Sequence, residues 1–230
     1  MLTPSDFDIA RRDTALPGLP TLLDPEAFTE AIRRAVPSAE AARPLYVRYK
    51  PGMNALFAFD LDVAGQTVTL HAKAHRPADQ VKFDKAAMRP SVPGPLGPGR
   101  LVLADEGIIV SVFPNDAKLK SLERLGDPER RRRLLARLFP GRTDLWGASL
   151  ERLRYKPERR YVACLRAGRR PVAALKFFTG TGYAAAYKRA KTFAPSGPFR
   201  PVRMTAASSR HRMNGSVSPD AGSKPRLRNV

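Results

Sequence analysis

The sequence predicts an α+β chain built from two similar units. Three observations carry this: a strand-turn-strand motif that occurs twice, runs of period-two hydrophobicity, and helix-start signals between them. The first copy, RYKPGMNALFAFDLDVAGQTVTLHAKAH, spans 48–75. The second, RYKPERRYVACLRAGRRPVAALKFF, spans 154–178. Arg48-Tyr49-Lys50-Pro51 aligns with Arg154-Tyr155-Lys156-Pro157 at an offset of 106, and each copy carries a lysine near its end, Lys73 or Lys176. Solenoid repeats run to about 20–50 residues, so the expectation is duplication of one small antiparallel sheet-plus-helix unit.

The elements follow in order. Residues 1–23 are punctuated by prolines and are expected to lie extended. Asp24-Pro25-Glu26 starts a helix to about Val36, with Asp as N-cap, Pro in the first turn and Glu at the positive end. Strands are expected at 45–50, 54–63 and 66–74, broken at Pro51-Gly52 and Ala64-Gly65-Gln66. In the middle one, Phe57, Phe59, Leu61 and Val63 alternate with Ala58, Asp60 and Asp62, which predicts one buried and one wet face. A helix at 78–88 precedes a Pro/Gly loop at 91–99. LVLADEGIIVSVF (101–113) reads as a hairpin bent at 105–107. Asn115 or Asp116 caps one helix and Asp127-Pro128-Glu129 a second, with Leu134, Leu135, Leu138 and Phe139 on one face and Arg130 to Arg133 in solvent. The second hairpin set gives strands near 148–155, 160–166 and 171–178. An Ala-rich helix follows near 182–193, with Tyr183 and Tyr187 as core contacts. Periodicity ends at Ala194. From Tyr187 onward there are ten Lys/Arg and one acid, Asp220, which predicts a disordered tail. The expected domains are 1–140, a first degenerate unit, 141–193, a second unit, and 194–230, the tail.

Composition narrows the function classes. A 43% hydrophobic fraction supports a core, and no run approaches the ~20 apolar residues of a membrane span. With no signal-like leader and a single cysteine, Cys164, read as a small buried residue, a soluble cytoplasmic protein is expected. The net charge of +20 could attract nucleic acid or another polyanion, although proline and arginine abundance is also what a GC-rich coding sequence produces. Trp146 is read as core. No phosphate-loop glycine motif, no CxxC and no metal-spaced His/carboxylate cluster occurs, and Gly180-Thr181-Gly182 reads as a plain strand-to-helix turn.

Three antiparallel strands, a lysine inside the third and a helix after it match the plan of a protein-kinase-like N-terminal lobe. The words YKPxRR, the ALKFF strand end and the FPND segment resemble the aminoglycoside phosphotransferase and choline-kinase-like superfamily over about residues 40–193. The resemblance implies ATP and Mg²⁺ as cofactors and a small-molecule hydroxyl as acceptor. It implies that Lys176 is the nucleotide lysine, that the turn with Lys156, Arg159 and Arg160 covers phosphates, and that Lys73 is the equivalent in a degenerate first lobe. LVLADEGIIVSVFPND would be the strand pair leading to a hinge.

The pattern also breaks. The helix after Lys176 has no acid, and after Glu158 the only carboxylate is Asp220. None of His71, His75 and His211 is followed two residues later by Asp, so the catalytic His-x-Asp loop is missing. Asp60 and Asp62 read as surface. An alternative frame across Met213-Asn214-Gly215 can encode Glu-Trp, a hinge-like word, so residues 213–230 are expected to be out of frame. The reading is therefore a truncated ATP-dependent small-molecule phosphotransferase lacking its catalytic lobe and inactive alone. Two others stand beside it: a nucleic-acid or polyanion-binding basic module, and a pseudokinase-like scaffold.

Overall fold

The structure, a computed structural model, describes residues 2–193. The expected tail at 194–230 and the frame change near 213 lie outside the described residues. Helices α1 (Pro4–Arg12), α2 (Leu19–Leu23) and α3 (Pro25–Arg33) lead into β1 (Ala39–Lys50), β2 (Asn54–Val63) and β3 (Gln66–Ala74). Then come α4 (Gln80–Met88), β4 (Arg100–Leu103), β5 (Ile108–Val112) and α5 (Pro128–Leu138). The strands β6 (Ser149–Lys156), β7 (Arg160–Ala167) and β8 (Arg170–Phe178) precede α6 (Gly180–Phe193). The chain is α+β, with two antiparallel sheets ordered β1-β2-β3-β5-β4 and β6-β7-β8. Among the described residues no helix is long and apolar enough to cross a membrane.

Residues 1–23, expected to be extended, form two helices instead. Thr3 caps α1 by accepting from the Asp6 N–H at 3.2 Å, Pro4 supplies a first-turn φ, and Pro20 does the same in α2. Two of the three prolines that suggested extension are helix starts, and Pro17 lies in the turn before α2. Leu16, Leu19 and Leu22, three residues apart, are buried with Phe28 and Ile32 of α3. Phe28 stacks on Phe59 of β2 at 4.3 Å. Burying one such side chain stabilises by about 2–3 kcal/mol. This layer covers one face of the first sheet.

The other face was expected to be wet, and it is not: Leu56 and Ala58 are fully buried and Asp60 is 9% exposed. The second unit packs over it. Its β6 reaches Asp60 and its β6–β7 turn reaches β3. Alternation in β2 thus reads two buried faces, one apolar and one neutralised by the second unit.

The second sheet packs its inner face, with Tyr155, Tyr161, Ala163, Leu165 and Leu175, on Leu134 and Leu135 of α5 and on Leu119, Leu122 and Leu125. Those last three sit around a 3-10 turn at Lys120–Leu125, where a regular helix was expected. Asp116 begins that segment by accepting the N–H groups of Lys118 and Leu119, both at 2.9 Å. The side chains of α5 therefore belong with the second sheet, and 116–178 groups about it. Trp146, expected in the core, is half-buried with its indole N–H donating to the Phe139 carbonyl at 3.1 Å. Cys164, expected to be buried, is half-buried on the outer face of β7, because burial alternates there with Tyr161, Ala163 and Leu165 inside.

The packing exposes a longer repeat than the hairpins alone. Asp13-x-x-Leu16-x-x-Leu19-x-x-Leu22-x-Asp24-Pro25-Glu26 recurs as Asp116-x-x-Leu119-x-x-Leu122-x-x-Leu125-x-Asp127-Pro128-Glu129, at an offset of 103. All six leucines are buried. Asp24 and Asp127 both cap the helices that follow.

Candidate anion-binding rows

Each hairpin is held by one carboxylate. In the first unit Asp13 accepts the Tyr49 hydroxyl at 2.7 Å and the Gly52 N–H at 2.8 Å. In the second, Asp116 accepts the Tyr155 hydroxyl and the Glu158 N–H, both at 2.9 Å. The same aspartate of the repeat thus fixes the same tyrosine and the same turn residue. Gly52 and Glu158 share a left-handed backbone, at φ 63° and 59°. Burial of the Tyr155 phenol, with the Asp116 charge beside it, pushes its pKa well up, so it stays a donor.

These clamps set a row of side chains across each sheet. In the first, Arg48 of β1 lies opposite Leu56 of β2, which lies opposite Lys73 of β3. In the second, Arg154 of β6 lies opposite Val162 of β7, which lies opposite Lys176 of β8. The rows match residue for residue: arginine, aliphatic, lysine.

Their partners differ. The first row closes on Glu158: Arg48 Nη2 is 2.5 Å and Lys73 Nζ 2.8 Å from its carboxylate, and Lys118 Nζ is 3.6 Å away. Burial alone would push Glu158 up, but Lys73 and then Arg48 hold it down at about 2. Lys73 is therefore engaged within the chain. His71, two residues before it, is buried with Nδ1 3.2 Å from the Tyr155 hydroxyl, and burial lowers its pKa.

Among the described residues the second row is open. Lys176 is exposed, and among the described residues it has no hydrogen-bond or ion-pair partner. Beyond it on the same face, Lys156 pairs in register with Arg160, and Arg160 with Phe178. Lys156 also sits over the Tyr46 ring at 5.4 Å. Arg154, then its own slight desolvation, then Arg160 and Arg159 lower its pKa, the mark of crowded like charges. So Lys176, Lys156 and Arg160 share one side of the second sheet with Arg154, and Arg159 lies in the adjoining turn, where its charge acts on Lys156. The one acid in that turn, Glu158, faces the other way. On the side of the row away from the turn, Cys164 of β7 lies between Ala174 of β8 and Glu151 of β6, with Glu151 paired to Arg166.

No family model, curated protein or solved structure matches this chain.

A divalent metal does not fit. Among the described residues no three His, Cys, Asp or Glu side chains are grouped for one. Asp116 is saturated by four donors, and Glu158 by cations. The carboxylate pair of β2 is split. Asp62 is a surface partner of Arg43 and Thr67. Asp60, expected at the surface, is buried beneath Arg152, whose Nη1 and Nη2 donate at 2.7 and 2.6 Å. A cavity of about 380 Å³, lined by His75, Phe83, Val102 and Asp105 among others, contains none of the expected site residues.

Sequence reasoning missed Arg48, Arg154, Asp13, Asp116 and the carboxylate role of Glu158. The signal was present. Arg48 and Arg154 open the quoted repeat words, and Asp13 and Asp116 are equivalent at the offset of 103.

Proposed function

We propose that the chain binds the phosphates of a nucleotide on its second sheet, as a duplicated nucleotide lobe of the aminoglycoside phosphotransferase and choline-kinase-like type. The observation that carries this reading is the first row. There the same arginine–aliphatic–lysine geometry closes on an oxyanion, the Glu158 carboxylate. Lys176 and Arg154 repeat that register, and among the described residues no acid closes on them. Lys156, Arg159 and Arg160 extend the positive charge toward the turn, where further phosphates would lie. Val162, Cys164 and Ala174 supply a small apolar strip for a base, bounded by the Glu151–Arg166 ion pair. ATP would bring a phosphoryl group, but no described side chain has the place of a general base or metal ligand, so binding without transfer is the activity expected of these residues. A cytoplasmic location belongs to the same reading.

The test is thermal denaturation and calorimetric titration with ATP, with and without Mg²⁺. The expected result is a rise in midpoint with ATP that does not require Mg²⁺ and that Lys176→Ala and Arg154→Ala each remove. A midpoint unmoved at millimolar ATP refutes the reading and leaves the scaffold role. The five clustered cations also suit a nucleic-acid backbone. That second reading expects an oligonucleotide affinity that falls steeply with salt and loses little when Lys176 alone is replaced.

A further inference from the structure

We propose that Arg48, Lys73 and Lys118 form a second oxyanion site, of phosphate or polyphosphate class, that the chain keeps closed with its own Glu158. The inference shares one premise with the function above, that the arginine–aliphatic–lysine row is an anion-binding device.

Glu158 holds an unfavourable position. Its φ of 59° lies in the left-handed region, where a side chain costs roughly 1–2 kcal/mol. The equivalent residue, Gly52, pays nothing there. The turn itself does not need the side chain: the Gly52 N–H donates to Asp13 just as the Glu158 N–H donates to Asp116. What glutamate adds is its carboxylate, and that carboxylate reaches out of its own unit into the row of the other. Three cations converge on it. Arg48 and Lys73 are 14% and 20% exposed, while Lys118 is 60% exposed and lies on the open side, 3.6 Å away. Without the carboxylate, three positive charges would face one space with no counter-charge. A tetrahedral oxyanion has the charge and lone pairs to replace it. The first unit is thus the same anion device as the second, closed by an intramolecular ligand.

The experiment uses the full chain and inorganic pyrophosphate in calorimetry at low salt. Glu158→Gly removes the carboxylate, keeps the N–H to Asp116 and suits the backbone, so the fold should persist by circular dichroism. Lys176→Ala silences the second row. The expected result is that Glu158→Gly/Lys176→Ala binds one pyrophosphate per chain at least tenfold more tightly than Lys176→Ala alone. Adding Lys73→Ala should abolish the gain. Should the glycine variant lose its fold, Glu158→Gln, of nearly the same volume, is measured the same way. No gain in a folded variant overturns the proposal, and so does a gain that ignores Lys73. Because Lys176 is absent throughout, the outcome is independent of nucleotide binding on the second sheet.

Discussion

Replacing Arg152 with alanine tests how the two units are joined. Arg152 puts two N–H groups on the Asp60 carboxylate and a third contact on the Thr69 hydroxyl at 2.6 Å. Burial alone would raise the Asp60 pKa; Arg152 and then Thr69 pull it below the ordinary carboxylate value. Without Arg152, Asp60 keeps only the Thr69 hydroxyl, at 2.8 Å. Removing one partner of a fully buried pair costs about 3–5 kcal/mol. Here the Arg152 and Asp60 side chains are 29% and 13% exposed, so water recovers part of that. We expect about 2–3 kcal/mol for Arg152→Ala. In a domain of this size that lowers the melting midpoint by roughly 4–12 °C. Asp60→Ala should cost a similar amount, because it strands the guanidinium. The double variant should cost little more than either, giving a coupling of about 2 kcal/mol. Urea unfolding of the four proteins measures it. Single effects that add to within about 0.5 kcal/mol would show that the pair is not the joint inferred here.

Acidification should act in two stages. Burial, then Lys73 and Lys82, depress His75 to about 4, so the unfolded chain takes that proton near 6.5 while the folded chain refuses it. Stability is whole above that range and falls as pH drops from about 6.5 to 4. Glu158, held at about 2, adds stability that is complete above its unfolded value near 4.5 and is lost as pH falls toward 2. Urea midpoints at pH 7, 5 and 3 should fall in both intervals. Glu158→Gly should flatten the lower one, and an unchanged lower limb in that variant would refute its assignment. Asp13→Ala should cost about 2–4 kcal/mol and Asp116→Ala somewhat more, since each leaves a tyrosine hydroxyl and a turn N–H without an acceptor and Asp116→Ala also strands the Lys118 and Leu119 N–H groups. Tyr49→Phe and Tyr155→Phe should each recover part of that loss in the matching alanine background. Equal losses with no such rescue would count against the clamp.

Much of the fold was legible because local rules and packing agree. Both hairpin sets, the Asp-Pro-Glu starts of α3 and α5, and the bend at 105–107 are placed by turn and cap chemistry within one or two residues, β1 excepted, which begins earlier. What failed depends on distant partners. Asp60 and Asp62 look alike in the alternation of β2, yet Arg152, far away in sequence, buries one and leaves the other at the surface. Pro4 and Pro20 were read as breaks because their helices lack a long apolar stripe; short helices take their stability from the core they cover. The site was half legible. Of the four basic residues named from the turn and the third strand, Lys156, Arg160 and Lys176 share a face by register, and Arg159 lies in the turn. Arg154 was hidden because its role appears only in register across β7.

The repeat also explains why the two lysines have different fates. Lys73 and Lys176 are equivalent at the offset of 103, and their arginine neighbours at 106. Local chemistry cannot distinguish them. The difference arises because the units dock head to tail: the turn of the second enters the row of the first, and no described unit enters the row of the second. Docking order decides which row a turn can enter, and the residue at that turn's tip, glutamate in the second copy and glycine in the first, decides whether the entered row meets a carboxylate. Exchanging the tips tests this. With Glu158→Gly alone the first row should gain anion affinity. With Gly52→Glu added, the second row should stay open, because the first turn binds Asp13 within its own unit and does not reach Lys176. Pyrophosphate binding by the exchanged protein should therefore equal that of Glu158→Gly, and a loss of the Lys176-dependent component would show that the tip, not the docking order, selects the open row.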